Sequence, residues 1–487
     1  MTITESTART IPPFPFPTAH TPTLSYWQAS NRGPSSLWNH GRGDPLPSSA
    51  DFVIVGAGVA GASLAYFLTR EGGAGAGKSV VVLDAADVGS GASGRNGGHV
   101  APYSWRGLDY LTRSFADSGA GLSEADALEV IFSEYDNLQL VKEIVKTEGL
   151  DVHLKEVTRV EVVRTEEGAA RNKDLKEQFD AAHARSRHAG REVAWDLVDD
   201  AEAARKLSRV RDALAANKIP AASNHPHRLT TALLRLALES SHSSAAFFSW
   251  TPVLSLSQEA GQWTLDCGAR GRISAPNVIL CTNGYTRHLF PDDLAQGKGI
   301  AKFVTPYRGN AALITPPAAY SGAGALGNTL GLERGAYICP TDSGLVIGAH
   351  NSALTWDKPA NWADIYGVEN DGVVPDKFRA WLANHCRDVF TGWDEGPREG
   401  LAQVWTGIMG ASADMLPLIG PVPDKPGLWT AVGFHGHGMS RILLCSRALE
   451  RQLRTGEWDE RLPRVFETTA ARLEKVRHAA DDRPWLG

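Results

Sequence analysis

Residues 51–84 read DFVIVGAGVAGASLAYFLTREGGAGAGKSVVVLD, and no other stretch restricts the fold of this 487-residue chain so strongly. DFVIV is short, β-branched and apolar, as a buried strand should be. Gly56, Gly58 and Gly61 follow at the spacing G-x-G-x-x-G, and the apolar run from Val59 to Thr69 predicts a helix. A glycine-rich loop ends at Ser79, and VVVL predicts a second buried strand that stops at Asp84. Strand, glycine turn, helix, strand and acid, in that order, form a βαβ unit that binds a dinucleotide. Gly56 makes the tight turn, Gly58 lets the backbone approach a pyrophosphate, and Gly61 lets the helix pack on the strand. Val59 and Ala60 open the helix, where amides and dipole favour an anion. Asp84, followed by Ala85, is placed to accept from a ribose 2′-OH, and a carboxylate there disfavours the 2′-phosphate of NADP. A glycine-rich turn without a ligand is the bland alternative; the flanking strands and the acid weigh against it. The uncharged run Phe52–Leu68 is too short for a membrane span, and its glycine spacing has the better explanation above.

Two more glycine-rich stretches need a task. ADVGSGASGRNGGH, Ala86–His99, supplies backbone amides and close approach, enough to wrap a second part of a long, extended cofactor such as FAD. GFHGHGMS, residues 433–440, places His435 and His437 among three glycines. A metal site would need further ligands, and no H-x-x-x-H or Cys–His partner stands nearby, so no metal is expected.

Composition removes other classes. With 49 basic and 55 acidic side chains, a net charge of -6 and a pI near 6.2, no basic excess points to nucleic acid. Five dispersed cysteines without a C-x-x-C pair argue for a reducing compartment rather than a disulfide framework. The proline-bearing N-terminus lacks a signal-peptide core and reads as a disordered lead-in; the C-terminal RPWLG is no peroxisomal address. The expectation is a cytoplasmic protein without a membrane partner.

Patterning predicts a helix over 121–149, a strand pair around 152–165, a charged helical stretch over roughly 166–216 and an amphipathic helix in LTTALLRLALESS. A small hairpin and a buried strand follow up to CTNG, then several strands between 300 and 350. A helix with Pro375 at its start comes next, then a strand over Trp429–Gly433 and a helix opening at Gly438. A parallel α/β part therefore opens and closes the chain, with a strand-rich part interleaved. The expected division is a lead-in over 1–47, a cofactor domain from 48–105, 218–299 and 401–460, a substrate domain from 106–217 and 300–400, and a C-terminal helix over 461–487.

The motifs SYW, VGAGVAG, GASGRNGG, APNVILCTNGYT, TPYRGN, WTGIMGASADMLPLIGP and GFHGHGMS together resemble FAD-dependent oxidoreductases of the D-amino acid oxidase superfamily, and within it the gamma-glutamylputrescine oxidase-like and sarcosine oxidase-like branch. The resemblance runs from Ser25 to about residue 460. It implies a Rossmann-type FAD-binding domain interleaved with a substrate domain on a mostly antiparallel sheet, α/β plus α+β in class. It also implies contacts to the cofactor from Gly91, Ala92, Ser93, Arg95, Asn96, Gly97, Gly98 and His99, from the Val253 backbone, and from Thr282, Asn283 and Gly284. Further contacts are implied for Gly407, Gly433, His435, Gly436, His437, Gly438 and Met439, with the helix after Gly438 aimed at the anionic edge of the reduced flavin. Sarcosine oxidase-like relatives attach flavin through a cysteine ahead of their SADMLPLIG-like run, and others through a histidine where Asn96 stands. Neither residue is present here, which implies non-covalent FAD.

The implied reaction is oxidation of a C–N bond in an amine or amino-acid derivative to an imine, with O2 as acceptor and H2O2 as product. A same-fold dehydrogenase feeding a quinone or carrier, and a non-catalytic flavin-binding assembly protein, are the alternatives. Such a site is apolar and aromatic with a few polar anchors. Tyr103, Trp105, Tyr337, Trp405, His350 and His437 are the candidates by position, each with a packing role as its bland counterpart. Where sarcosine oxidase-like relatives carry an oxygen-activating lysine, this chain has Val346. Arg95, Arg106, Arg308 and Arg334 are open candidates to anchor a substrate carboxylate. Substrate, acceptor and oligomeric state are not readable from sequence.

Overall fold

The structure is a computed structural model that describes residues 22–115, 117, 119–332, 335–349 and 365–474. The βαβ unit forms as its residues require. Phe52–Val55 and Ser79–Leu83 pair in parallel, Phe52 opposite Val80, with the helix Val59–Leu68 between them in sequence. The six-stranded sheet runs Leu418–Pro421, Leu428–Val432, Asn277–Leu280, Phe52–Val55, Ser79–Leu83, Ser244–Phe248; only its first pair is antiparallel. Its central strands are buried on both faces, which explains their unbroken Val/Ile/Leu runs. The helices Pro226–Leu238 and Ile442–Thr455 pack against Val59–Leu68.

The nine-stranded sheet runs Gly400–Ser412, Val304–Thr315, Gly344–Ala349, Tyr337–Thr341, Thr329–Gly331, Lys155–Val163, Ala215–Ser223, His99–Val100, with Asp196–Val198 also on Ala215–Ser223. All its pairs are antiparallel except Thr329–Gly331 with Lys155–Val163. A three-stranded sheet, Ser255–Glu259, Gln262–Asp266 and Arg272–Ala275, completes the strands. This is the mixed α/β and α+β architecture that the motifs imply. The strand Gly400–Ser412 belongs to the larger sheet, while its Ile408 and Met409 reach the cavity described below.

Several local expectations need correction. The alternating stretch around 152–165 is one strand, Lys155–Val163, whose partner Ala215–Ser223 comes some fifty residues later. The helical stretch expected over 166–216 is two helices, Glu166–Ala184 and Ala201–Ser208, and its alanine-rich end starts the strand Ala215–Ser223. Burial of small side chains overrides alanine's helix preference there, and Pro220 forbids a helix interior. The helix expected from Gly438 begins at Ile442, after a 3₁₀ turn at Gly438–Ser440. Of the C-terminal helix expected over 461–487, the described part holds only Ala470–Leu473 and a 3₁₀ turn at Arg464–Phe466; 475–487 lie outside the described residues.

The lead-in is not a tail from residue 22 onward. Ser25 caps the short helix Tyr26–Ala29 in a capping box with Gln28. Thr23 bonds the Asp371 carbonyl through both its amide and its hydroxyl, Trp27 Nε1 donates to the Asn96 carbonyl, and Gln28 donates to the Ser90 carbonyl. This strap ties the second glycine loop to distant parts of the chain.

Candidate active site

A long cavity opens along the carboxyl ends of the parallel strands, enclosing about 1530 Å³ with its open mouth included. Val253, Asp84, Ala85 and Ala86 line it, with Gly56, Gly58, Val59 and Ala60 from the first glycine turn. Ser90, Gly91, Ala92, Ser93, Arg95 and Asn96 add the second loop, Thr282 and Asn283 follow the strand Asn277–Leu280, and Gly436, Gly438, Met439 and Ile442 close the far end. A Cβ on Gly61 would stand 1.8 Å from the Gly56 carbonyl oxygen, so this glycine serves the seating of the helix on the turn. A Cβ on Gly58 would meet Ser93 Oγ at 2.9 Å, and Ser93 Oγ accepts from the Val59 amide at 2.8 Å, so the two glycine loops touch at the helix N-terminus. Asp84 accepts from the amides of Ala57 (2.7 Å) and Ala86 (2.8 Å), and burial pushes its carboxyl up to about 6.

The residues fit an extended dinucleotide. The acid stands at one end, a helix N-terminus with two glycine loops in the middle and a third glycine turn at the other end. The Asn283 carbonyl oxygen of the side chain accepts from the Gly433 and Phe434 amides at 3.1 and 3.3 Å, and thereby holds the third turn. Asn283 has φ +45 and Gly433 φ +72, a pair of left-handed residues at this junction. Gly284 lies against the Met409 carbonyl, where a Cβ would stand 2.4 Å away. Asn96 turns inward on its own loop, its side chain donating to the Ser93 carbonyl and accepting from the Gly98 amide.

A second chamber adjoins the first and shares Ala92, Arg95, Asn96, Met409, Gly436 and Met439 with it. Its wall carries Tyr103, Tyr110, Tyr307, Tyr337 and Tyr366, with His99, His435 and His437 and the charged Arg106, Arg159 and Glu161. Gly407 also stands in this wall. Tyr337 is wedged between two glycines: a Cβ on Gly97 or on Gly348 would meet its ring or hydroxyl within 2.4 Å. Gly98 is packed under Trp27 and the Asn224 carbonyl. Burial raises the Tyr337 and Tyr307 hydroxyls above their ordinary value, so both remain neutral.

Behind this wall lies a buried ionic group. Glu134, fully buried on the helix Glu124–Thr147, accepts from Arg441 Nε (2.8 Å), from the Tyr103 amide (2.7 Å) and from His437 Nε2 (3.1 Å). Burial alone would raise its carboxyl; His437, Arg441 and the Tyr103 amide together outweigh burial and hold it below the usual carboxylate value. Burial lowers His437, and Glu134 offsets part of that. The His437 ring stacks on Tyr103. His99 hydrogen-bonds the Thr329 hydroxyl, and burial beside Arg159 pushes it well below its ordinary value. His435, at φ +50, accepts on Nδ1 from the Ser412 amide.

The predicted residues therefore divide. Tyr103, Tyr337, His437, His435, His99 and Gly407 stand in the second chamber, and most other glycine-loop residues line the first. Trp405 does neither: it is fully buried with Trp27, Ala311 and Val346, its Nε1 donating to the Arg95 carbonyl. Trp105 is likewise core, donating to Asn172. Arg308 is buried, donates to the Asn370 carbonyl and lines neither cavity. Arg95 is spent on the Ser90 and Thr406 carbonyls and on Asp371. His350 and Arg334 lie outside the described residues. Sequence reading missed Arg159, Glu161, Tyr307 and Glu134 in this region, and Tyr285, His288 and Asp371 in the cofactor cavity. For Glu134 a signal existed: a carboxylate on the same helical stripe as Val130, Leu138 and Val141. Among the described residues no group of three or more His, Cys, Asp or Glu side chains could hold a metal ion, and no helix is long and apolar enough to cross a membrane.

Comparison with known proteins adds the following. A family model described as FAD dependent oxidoreductase matches residues 51–452. The glycine oxidase of Geobacillus kaustophilus (strain HTA426) is 22% identical over 393 residues, covering 80% of this chain and 89% of that protein. Its crystal structure superposes with a TM-score of 0.64 at 20% identity, covering 87% of this chain and 99% of that one. The L-amino acid deaminase of Proteus vulgaris, with its specific insertion deleted, gives a TM-score of 0.65 at 18% identity over 90% and 98% of the two chains. The L-proline dehydrogenase of P. horikoshii gives 0.63 at 17% identity over 89% and 100%.

Proposed function

On the premise that this chain belongs to the family of FAD-dependent oxidoreductases, we propose that it oxidises a C–N bond of an amine or amino-acid derivative to an imine. Water then hydrolyses the imine to a carbonyl compound and an amine. The observation that supports this reading is the aromatic second chamber, which meets the cofactor cavity at Ala92, Arg95, Asn96, Met409, Gly436 and Met439. FAD, when bound, supplies the acceptor for the hydride that leaves the carbon next to nitrogen. The protein's share is to hold that carbon at the junction, exclude water and favour the neutral amine. Tyr337 and Tyr307 shape the chamber without ionising. Arg159 is paired with Glu161 at 3.2 Å, and Arg106 leaves these wall charges positive in sum, which destabilises an ammonium ion and attracts a carboxylate. In this reading residues 48–105, 218–299 and 401–460 serve the cofactor, and 106–217 and 300–400 enclose the substrate.

FAD is held without a covalent bond in this proposal. Asn96 offers no nucleophile, and burial pushes the Cys281 thiol in the cavity wall up to about 12, leaving it protonated and inert. O2 is the proposed acceptor. One observation favours the alternative, a dehydrogenase feeding a quinone or carrier: Val346 is sealed in an apolar cluster and offers no cation. Anaerobic mixing of the holoenzyme with amines, N-methyl amino acids, and D- and L-amino acids tests both. Bleaching of the flavin band followed by fast recovery in air, with peroxide, supports the oxidase. Slow recovery supports the dehydrogenase, and no bleaching by any class counts against amine oxidation.

A further inference from the structure

The second chamber holds one side chain built like a base. His437 lies in its wall beside the junction residues Gly436 and Met439, and its Nε2 faces Glu134 Oε2 at 3.1 Å. Glu134 is fully buried, takes Arg441 Nε at 2.8 Å and the Tyr103 amide at 2.7 Å, and has no proton to give. The proton of a neutral His437 ring therefore sits on Nε2, and its lone pair on Nδ1. Among the described residues Nδ1 has no hydrogen-bond partner. The ring cannot turn freely, because it lies flat against Tyr103.

We propose that His437 takes a proton from the substrate's ammonium group through Nδ1, and that Glu134 is the positioning residue that fixes the tautomer. This rests on the amine-oxidation reading. In the step an N–H bond of the ammonium breaks, its electron pair stays on the substrate nitrogen, and an Nδ1–H bond forms. The nitrogen lone pair can then assist loss of the hydride. The groups facing His437 suit the transfer. Glu134 stabilises the imidazolium that forms, while Arg159 and Arg441 oppose a permanent charge on the ring, and His99 beside them is held neutral. Tyr103, stacked on the ring, stays protonated. The same wall also carries Arg106 and Glu161. An aromatic face and a free ring nitrogen thus stand together in the chamber wall, with a buried carboxylate behind them.

The test uses holoenzyme and two non-oxidisable probes, 2-aminoisobutyrate, which has an ammonium but no hydrogen on the α-carbon, and trimethylglycine, which has no N–H at all. Binding is read from perturbation of the flavin spectrum between pH 5 and 10. The expected result is that 2-aminoisobutyrate binds more tightly as His437 loses its proton, while trimethylglycine, which gains only relief from repulsion by the imidazolium, shows a smaller limb; in His437→Phe the limb vanishes for both. For whichever amine bleaches the flavin, His437→Phe is expected to slow bleaching about 100-fold at pH 7. The loss should shrink about tenfold per pH unit up to the amine's own pKa, a rescue that a structural defect would not show. Glu134→Gln is expected to move the limb to lower pH, because the carboxylate that raises the imidazole pKa is gone. Bleaching with an unchanged limb in His437→Phe overturns the base and leaves the function standing. Absence of both perturbation and bleaching overturns the function and the base with it.

Discussion

The imidazole of His437 lies 4.4 Å from the ring of Tyr103, the two planes 12° apart, and both residues bond to the same carboxylate, Glu134. Tyr103 contributes a ring face and a backbone amide; its hydroxyl is not part of the relationship. Tyr103→Phe is therefore expected to keep stability and flavin content close to wild type. Tyr103→Leu should lose ~0.5–1.5 kcal/mol from the stack and release the ring of His437. Chemical denaturation reads the first effect, and the flavin bleaching rate at pH 7 reads the second. Equal rates in the two variants would show that the stack does not orient the imidazole.

Gly61→Ala places a carbon 1.8 Å from the Gly56 carbonyl oxygen, backbone against backbone. Neither atom can swing away, so the cost is expected at or above the upper end of the ~1–3 kcal/mol typical of overpacking. The variant should be recovered without FAD or not fold. A variant with wild-type flavin content and melting temperature would contradict the packing.

Asp84 carries a pH prediction. Its carboxyl titrates near 6 in the folded chain and near the ordinary 3.8 when unfolded. The folded state therefore holds the extra proton, and this group's contribution to stability of the cofactor-free protein falls as pH rises from about 4 through 6. Cofactor hydroxyls donating to the carboxylate favour its ionised form. FAD affinity should then weaken by up to about tenfold per pH unit below 6. Asp84→Asn should abolish that slope, measured as FAD retained after gel filtration at pH 5 and pH 8.

Val346 is buried with Trp27, Ala311 and Trp405, not exposed as an oxygen-activating residue would be. Val346→Ala should cost roughly 1–3 kcal/mol in thermal or chemical denaturation as a cavity is left. The rate of flavin recovery in air should stay within about twofold. A large change in that rate at normal stability would give the position a part in oxygen chemistry after all.

Trp27→Phe removes the donor to the Asn96 carbonyl while keeping most of the ring volume. A partly buried acceptor left unpaired costs up to about 1–3 kcal/mol, so FAD should leave up to about five- to 150-fold faster. Return of flavin fluorescence on dilution measures this rate. An unchanged rate would mean that the strap does not secure the loop.

What could be read from the sequence followed the reach of the interactions. The βαβ unit was legible because its glycines, apolar runs and acid lie within thirty-four residues and each answers a local steric or electrostatic demand. The helix Glu124–Thr147 was legible from its period. The strand Ala215–Ser223 was not, because its pairing with Lys155–Val163 outweighs alanine's own preference. Tyr103, Tyr337 and His437 stood out by position beside glycine motifs, and the fold sets them in one chamber. Trp405 looked identical by that criterion, yet side-chain direction on its strand sends it into the core. Arg159 and Glu161 were invisible because an alternating charged strand reads as an ordinary solvent face. Only its burial against Gly331 and the Ser104 loop gives it another meaning.

The strap at Thr23–Ser30 carries a consequence for biosynthesis. Its partners are Gly94 and Asn96, but also Asp371, Gln403 and Thr406, which leave the ribosome some 350 residues later. The strap is thus made long before it can settle, since contacts so distant in sequence close late. While it waits, the loop that it will cover stays open. FAD that meets the chain before then finds that loop without its Trp27 and Gln28 donors.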